Sequence, residues 1–496
     1  MASRGSSLSD LAATLPARLV GDGDVVVSEV THDSRRAGHG WIYVALTGQR
    51  HDGHDYVAEA VGNGALAVCL SHPVETTVPS LLVDDTRLAI GPLSSTVYGN
   101  PSAALDVIGV TGTNGKTTVT HFIESIAHSA GLTTGLIGTI HTRYAGKSVQ
   151  ATLTTPEAPD LQKLLADMRD NGVTLVAAEV SSHALELARV KGTSFAVAAF
   201  TNLSQDHLDF HGDMAAYRAA KERLFSEYAV GTAVINIDDP VGEELAARYE
   251  GEILTVGRTG DVSIRDRRPE PGGTSLHIET PAGGVTALVP VVGEFNLSNL
   301  AMAVACCIGA GIEFAPIAGN LANLERVPGR FEVVSGDDAI VVIVDFAHTP
   351  EAVVRAIEAG RELSRGRVIA LLGAGGDRDR AKRPAMGEAL STADLAVVTS
   401  DNPRSEEPEA IVSALLSGVH PGRERIVEVD RRRAIALAIE AADDGDVVLV
   451  LGRGHEPNQT VGTEKIPFDD RQVAAETLAA HRKSAATGFE SGSITP

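Results

Sequence analysis

From Asp106 onward the chain repeats one pattern: a short unbroken apolar run, a polar or glycine-rich turn, and a stretch with helical periodicity. The runs DVIGV, TLVAAEV, FAVAAFTNL and AVINIDDP do not alternate polar with apolar, so each predicts a strand buried on both faces. Such strands pair in parallel and need a helix for every crossover. After Arg330 the pattern restarts with AIVVIVDF, RVIALLG, DLAVVTS and DVVLVLG, which predicts a second, Rossmann-like doubly wound sheet. The region before Asp106 holds briefer runs, WIYVALTG from Trp41 to Gly48 and GALAVCL from Gly64 to Leu70, and ends at the turn-rich GNPSAALD. The 496 residues therefore predict an α/β protein of three domains, with limits at 1–103, 104–327 and 328–496. Residues 251–292 alternate like antiparallel hairpins decorating the central domain, and the tail RKSAATGFESGSITP is expected to fray.

Charge restricts what such a chain binds. Lys plus Arg number 42 and Asp plus Glu 65, a net of −23, so the long-range field repels nucleic acid and acidic membrane surfaces. Any phosphate must be gripped locally. Cys69, Cys306 and Cys307 are the only cysteines, which excludes a disulfide framework and a thiolate zinc site and suits a reducing cytoplasm. The N-terminal segment has no continuous apolar core of signal-peptide length, and no stretch reaches about 18 uncharged apolar residues. The expectation is a cytoplasmic monomer with neither membrane nor nucleic-acid partner.

The local grip is legible where DVIGV runs into Thr111, Gly112, Thr113, Asn114, Gly115, Lys116, Thr117 and Thr118 before an apolar helical stretch. Backbone N–H groups in such a turn cradle phosphate oxygens, Lys116 reaches the β/γ-phosphates, and the Thr117 hydroxyl suits Mg²⁺. The common loop has Gly five residues before Gly115, where this chain has Val110, so the match is to a shortened form. A strand, Gly-Lys-Thr-Thr and a helix in succession predict ATP binding and a P-loop ATPase-like central domain.

Glu179 closes TLVAAEV, and His207 lies just beyond FAVAAFTNL, so both should emerge at the sheet's carboxyl edge beside this loop. With Thr117 they form a sensible Mg²⁺ shell, although a satisfied loop histidine explains His207 as well. On the helical stretch from Asp213 to Tyr228, Met214, Tyr217, Leu224, Phe225 and Tyr228 share one apolar stripe, and Lys221 falls inside it. Desolvation there favours the neutral amine, which can add carbon dioxide. The alternative is a lysine that buries its stem and lets the ammonium reach water.

Four strands of the last domain end in loops rich in chemistry: Asp345 to His348, Gly373 to Arg378, Asp401 to Arg404, and Gly452 to Glu456. Convergent arginines and carboxylates at one edge could hold the carboxylate and ammonium of an amino acid. Surface salt bridging is the competing explanation for any one loop, and Gly-Gly-Asp-Arg could instead form a second anion site from backbone N–H groups. Asn296 and Asn299 open another apolar helical stretch, with Asn296 expected as its cap.

Taken in order, GVTGTNGKTT, EVSSHAL, FTNLSQDHLDFHG, AAK, GEFNLSN, VPGRFE, DFAHTPEA, GAGGDRDRAKRP, SDNPRSE and GRGHE resemble the Mur ligase family over nearly the whole chain. The resemblance implies an ATP-dependent amide ligase of peptidoglycan precursor synthesis. It would use Mg²⁺ and an acyl phosphate to join meso-diaminopimelate to UDP-N-acetylmuramoyl-L-alanyl-D-glutamate. HDSRRAGHGWIYVALTGQRHDGHDY looks like the family's uridine-binding segment and puts Ser34 near the UDP group. By the same resemblance Thr154, Thr155, Ser181 and Arg189 contact the muramoyl dipeptide, and Asn296, Arg330 and Asp345 join Gly112 to Thr118 around ATP.

Lys221 falls where the family carries a carbamylated lysine that helps Thr117, Glu179 and His207 hold the metal, so Lys116, Lys221 and His207 are the expected catalytic residues. Asp401, Asn402, Pro403 and Arg404 match the D-N-P-R motif of members that choose meso-diaminopimelate over L-lysine, with Arg378, Gly452 and Glu456 completing the pocket. Three residues depart from the family pattern: Phe346 for Tyr, Arg453 for Lys in G-K-G-H-E, and Leu187 where some members have Gln. The rival readings are an L-lysine-adding ligase, a related amide ligase such as a folylpolyglutamate synthetase, and a non-catalytic nucleotide-dependent binding protein.

Overall fold

The structure, a computed structural model, describes residues 5–490 except 49, 50, 271 and 337. Its largest sheet has eight strands in the order Lys147–Gln150, His141–Tyr144, Thr134–Ile137, Leu175–Glu179, Asp106–Thr111, Phe195–Phe200, Val230–Asn236 and Glu252–Val256. The last six run parallel, and the first two add an antiparallel hairpin at one edge. The unbroken apolar runs explain the burial: Ile108, Val110 and Ala177 face one helical layer with Ile123, Leu300 and Val304, while Val107, Val176 and Ala198 face the other with Leu161, Leu165 and Phe225. Asp106–Thr111 lies between strands reached by crossovers in opposite directions, so a crevice opens at its carboxyl end.

The second parallel sheet has the order Glu332–Val333, Val341–Asp345, Val447–Leu451, Val368–Leu372, Leu395–Val398 and Glu424–Val427, with only the first strand antiparallel. It is covered on both faces. Ile343 packs with Val353 and Ile357 on one side, and Val342 and Val344 pack with Ile435 and Ile439 on the other. The N-terminal sheet has five strands, Arg18–Val20, Ser80–Leu82, Ala67–Leu70, Trp41–Val44 and Glu29–Thr31, and all but the first are parallel.

Three expectations need correction. Within 251–292, Glu252–Val256 is a parallel edge strand of the main sheet, and only Ser263–Glu270, Gly273–Thr280 and Gly283–Val289 form a separate antiparallel sheet. The tail is not irregular from Arg482: the helix Asp470–Glu490 continues into it, because Val473, Ala474 and Leu478 dock its first turns on the core and propagation from a fixed nucleus is cheap. Residues 491–496 of that tail lie outside the described residues. Asn296 is not a cap; Gly293, at φ 84°, caps Glu294–Gly309, and Asn296 sits inside the first turn.

Asp470 also carries the most deeply buried ion pair. Arg431 donates to both its carboxylate oxygens, at 2.9 and 2.6 Å, with neither side chain exposed, and the same guanidinium reaches the carbonyls of Ser400 and Leu451. Removing the carboxylate charge leaves a buried cation without its counter-ion. Asp470→Asn is expected to lower stability in urea unfolding by about 3–5 kcal/mol. Asp443→Asn, which touches the exposed Arg367–Asp443 pair, should change it by no more than about 1 kcal/mol.

Candidate active site

The carboxyl edges of the central and C-terminal sheets meet around one cavity of about 410 Å³. The phosphate loop borders it and turns on two glycines where a side chain would be both strained and crowded. A Cβ on Gly112 (φ 141°) would stand 1.9 Å from Thr201 Oγ1, and one on Gly115 (φ 88°) 2.4 Å from Asn299 Oδ1. Asn202 pins the turn from below: its Oδ1 accepts from Asn114 N at 2.9 Å and its carbonyl from Thr113 N at 2.9 Å. Thr201 Oγ1 donates to Asn114 O at 2.6 Å, and the hydroxyls of Thr113 and Tyr217 meet at 3.1 Å. The helix Lys116–Ser129 starts at this turn, and the N–H groups of its first turn have no intrahelical partner. Lys116 Nζ donates to the carbonyls of Gly112 and Thr113, at 2.8 and 2.9 Å. Desolvation lowers its pKa from the ordinary lysine value.

Oxygen and nitrogen donors stand beside the loop. Glu179 is fully buried and accepts from Thr139 N and Oγ1, at 2.7 and 3.0 Å. Thr117 Oγ1 accepts from Arg330 Nη2 at 2.9 Å, and that guanidinium lies over the Phe346 ring at 4.4 Å. His207 adopts a left-handed conformation (φ 54°), and burial pushes its imidazole down to about 3. It is therefore neutral at pH 7, with a lone pair to offer.

Lys221 lies on the helix Met214–Ser226, which Asp213 caps through Ala216 N. It is 1% exposed, so the stem does not carry its amine to water. Nζ donates to Gly112 O at 2.7 Å and stands 4.4 Å from the centre of the Tyr217 ring. Burial, aided by the nearby Lys116 charge, holds its pKa well below the usual value.

From the C-terminal sheet, Arg378, Asp401, Asn402, Arg404, Gly452 and Glu456 line the same cavity. Asn402 Nδ2 donates to Asp401 Oδ1 at 2.9 Å and to Glu456 Oε2 at 2.6 Å. Burial and the neighbouring Asp401 raise the Glu456 pKa. Arg404, at φ 51°, donates from Nη1 to Gly376 O at 2.6 Å. The Gly-Gly-Asp-Arg turn is no anion nest: Gly376 N donates to Asn402 O, Asp377 N to Glu406, and the Asp377 carboxylate is taken by Ser405.

Asp206 joins the two sheets at the cavity, 3.0 Å from Lys382 Nζ and 3.4 Å from His348 Nε2. Burial alone would raise its pKa, but the hydrogen bond and charge of His348 and the charge of Lys382 hold it far below the carboxylate range.

Not every anticipated residue reaches this space. Thr154, Ser181, Asn296, Arg330 and Asp345 line it, although both Asp345 oxygens already accept from Phe331 N and Ala347 N. Gly112 and Pro403 shape loops without lining the cavity, and Pro403 O packs against Gly376. Thr155 donates to the Glu179 carbonyl at 2.8 Å. Arg189 pairs with Glu157 at 2.8 Å, which also binds Arg87 of the N-terminal sheet region at 3.0 Å. Ser34 is buried against Glu59, outside the cavity. Of the three departures, Phe346 lines the cavity, Leu187 ends the helix Ser182–Glu186, and Arg453 turns wholly inward.

Sequence reading did not single out as site residues Asn202, Asp206 and Lys382, nor Tyr217 and His348, which it named only as part of an apolar stripe and of a loop; their partners lie far away along the chain. The one available signal was the place of Asn202, Asp206 and His348 in motif loops at strand ends; Tyr217 and Lys382 lie on helices. A separate cluster, Asp52, His54 and His72, has ligand atoms within 4.8 Å of one another. His54 Nε2 already accepts from Ser71 N at 3.0 Å, which leaves the proton on Nδ1, 2.6 Å from Asp52, so Nδ1 has no lone pair for a cation.

The family model described as "Mur ligase middle domain" matches residues 110–307, and the one described as "Mur ligase, glutamate ligase domain" matches residues 329–454. The chain is 47% identical over 466 residues to a UDP-N-acetylmuramoyl-L-alanyl-D-glutamate--2,6-diaminopimelate ligase of Gloeobacter violaceus, covering 92% of this chain and 95% of that protein. A protein of the same name from Aquifex aeolicus is 44% identical over 453 residues, covering 91% and 94%. A solved structure bearing that name superposes with a TM-score of 0.70 at 31% identity, over 96% of this chain and 99% of its own. With two domain models in sequence order and relatives this similar over most of its length, the chain belongs to the Mur ligase family.

Proposed function

We propose that this chain is the ATP-dependent ligase that adds meso-diaminopimelate to UDP-N-acetylmuramoyl-L-alanyl-D-glutamate. The observation that carries this reading is that a phosphate loop, a carboxylate–imidazole shell and an arginine–carboxylate pocket open on one cavity. The relatives that share the name lend it further support. In this reading residues 1–103 hold the uridine nucleotide, 104–327 bind ATP and 328–496 bind the amino acid. The reaction takes place in the cytoplasm on a monomer; among the described residues no helix is long and apolar enough to cross a membrane.

A carboxylate and an amine do not condense unaided in water. The D-glutamyl side-chain carboxylate attacks the γ-phosphate in line, displacing ADP and forming an acyl phosphate. Lys116 leaves its loop carbonyls and neutralises charge that develops on the transferring oxygens. The diaminopimelate amine then attacks the acyl carbon, phosphate departs, and the amine loses a proton to give the amide. Positioning and electrostatics suffice, so no covalent nucleophile is required.

The donor set fits a hard divalent cation: Thr117 Oγ1, the Glu179 carboxylate and neutral His207 face one cavity, and a carbamate on Lys221 would add further oxygens. Mg²⁺ held there would offset phosphate charge.

Arg378 and Arg404 facing Asp401 and Glu456 suit a ligand end that bears both a carboxylate and an ammonium. Lysine has no distal carboxylate and would offer the two guanidinium groups no ligand carboxylate to pair with, which disfavours the lysine-adding alternative.

Incubation with ATP, Mg²⁺, the UDP-muramoyl dipeptide and an equal mixture of diaminopimelate and lysine should yield the diaminopimelate adduct by mass, with ADP and phosphate. A lysine adduct, AMP, or turnover indifferent to the acceptor would reject the assignment. Lys116→Ala should lower acceptor-dependent ADP release by at least about a hundredfold while circular dichroism stays unchanged. Lys221→Ala should lose activity and regain part of it when short-chain carboxylates are added; full activity without them would remove the carbamate role.

A further inference from the structure

Behind the amino-acid pocket stands a hairpin, Asn458–Val461 paired with Glu464–Pro467, that sequence reading did not anticipate. It contributes nothing to a core: no residue from 458 to 467 is buried, and Val461 and Ile466 are exposed. Isolated two-stranded hairpins are marginal in water, so something outside it must hold this one. What holds it is a set of polar contacts with the pocket itself. Thr460 N donates to Asn402 Oδ1 at 2.8 Å, and Gln459 Nε2 donates to Asp401 O. Arg404 N donates to Thr460 O at 3.1 Å, and Gly462 N donates to Arg404 O at 2.7 Å. Both backbone groups of Arg404 are therefore held by the hairpin, at the residue that adopts a left-handed conformation non-glycine residues seldom take.

The base of the hairpin is tied down by Arg453. This side chain has no exposure, and its Nη2 donates to Asn458 O at 2.7 Å and to Phe468 O at 3.0 Å, clasping both ends of the hairpin. The guanidinium stacks over the Phe468 ring at 5.1 Å. Its Nε lies 3.7 Å from Glu456 and its Nη1 3.7 Å from Asp470, near enough for charge attraction though neither makes a hydrogen bond. One residue thus links the buried Arg431–Asp470 pair, the hairpin base and the pocket carboxylate. A lysine there has a single tetrahedral head and cannot present this planar fork.

We propose that the hairpin Asn458–Pro467, anchored by Arg453 and coupled through Gln459, is the positioning element that aims Arg404 and so sets selectivity for the incoming amino acid. Arg453 and Gln459 are positioning residues, since neither lines the cavity. This rests on the diaminopimelate-adding reading above and adds to it where the selectivity is enforced.

The full-length enzyme is assayed with ATP, Mg²⁺, the UDP-muramoyl dipeptide and either diaminopimelate or L-lysine, for wild type, Arg453→Met, Arg453→Lys and Gln459→Leu. Arg453→Met and Gln459→Leu are expected to raise KM for diaminopimelate about tenfold, the effect of roughly one lost hydrogen bond. They should lower the diaminopimelate-to-lysine ratio of kcat/KM to a similar extent, with KM for ATP and for the muramoyl substrate changed less than about twofold. Arg453→Lys should recover part of the difference. If Arg453→Met does not fold, Gln459→Leu, a substitution outside the core, decides. Wild-type KM and selectivity in Gln459→Leu, or an equal rise in KM for all three substrates, overturns the proposal. Failure of the wild type to prefer diaminopimelate would instead overturn the functional reading beneath it.

Discussion

Parallel pairing puts the carboxyl end of every strand at one edge of its sheet, and nearly all the chemistry of this molecule follows from that constraint. In the central sheet it brings the phosphate loop, Glu179 and His207 to a common rim, although they lie on three different strand-to-helix connections. In the C-terminal sheet it gathers Asp345, Arg378, Asp401 and Glu456 in the same way. Facing the two rims toward each other converts two ordinary crevices into one reaction chamber. Asp206, held between Lys382 and His348, fastens the rims together at the cavity.

The charge distribution is consistent with a chamber that must accept anions inside an acidic protein. The net charge is −23, yet the cavity is lined by as many Lys and Arg side chains as Asp and Glu. Four of these carboxylates have a local role: Asp345 ties down backbone N–H groups, Asp206 spans the sheets, and Asp401 and Glu456 flank Asn402. The cations Lys116, Arg330, Arg378 and Arg404 are left to face what enters.

The parts of this arrangement that were legible in the sequence are those whose signal is local. An apolar run followed by Gly-Thr-Asn-Gly-Lys-Thr-Thr specifies strand, turn and helix within a few residues. Lys221 could be singled out because helical periodicity alone puts it among Tyr217, Leu224 and Phe225. The family resemblance then named pocket residues that no period reveals. What escaped was set by partners distant in sequence or by half-exposed backbone. Glu424–Val427 and Lys147–Gln150 are edge strands, and His141–Tyr144 beside the latter is only half-buried, so they carry no apolar run. The hairpin behind Arg404 is specified by hydrogen bonds to Asp401, Asn402 and Arg404, and by a buried arginine that reads as one more charged residue. Asn296 looked like a helix cap because it precedes an apolar stretch, but a glycine three residues earlier had already started the helix.

The carbonyl of Gly112 accepts from both Lys116 and Lys221, so each of its lone pairs has a donor. In the proposed reading, a Lys116 that turned toward a nucleotide would leave Lys221 on the same oxygen and Asn202 on the two amides that follow. Nucleotide arrival would then be chiefly an exchange of partners by side chains, made over a backbone turn already held in place. The entropy of ordering that turn would be met on folding, so it would not count against the affinity for ATP.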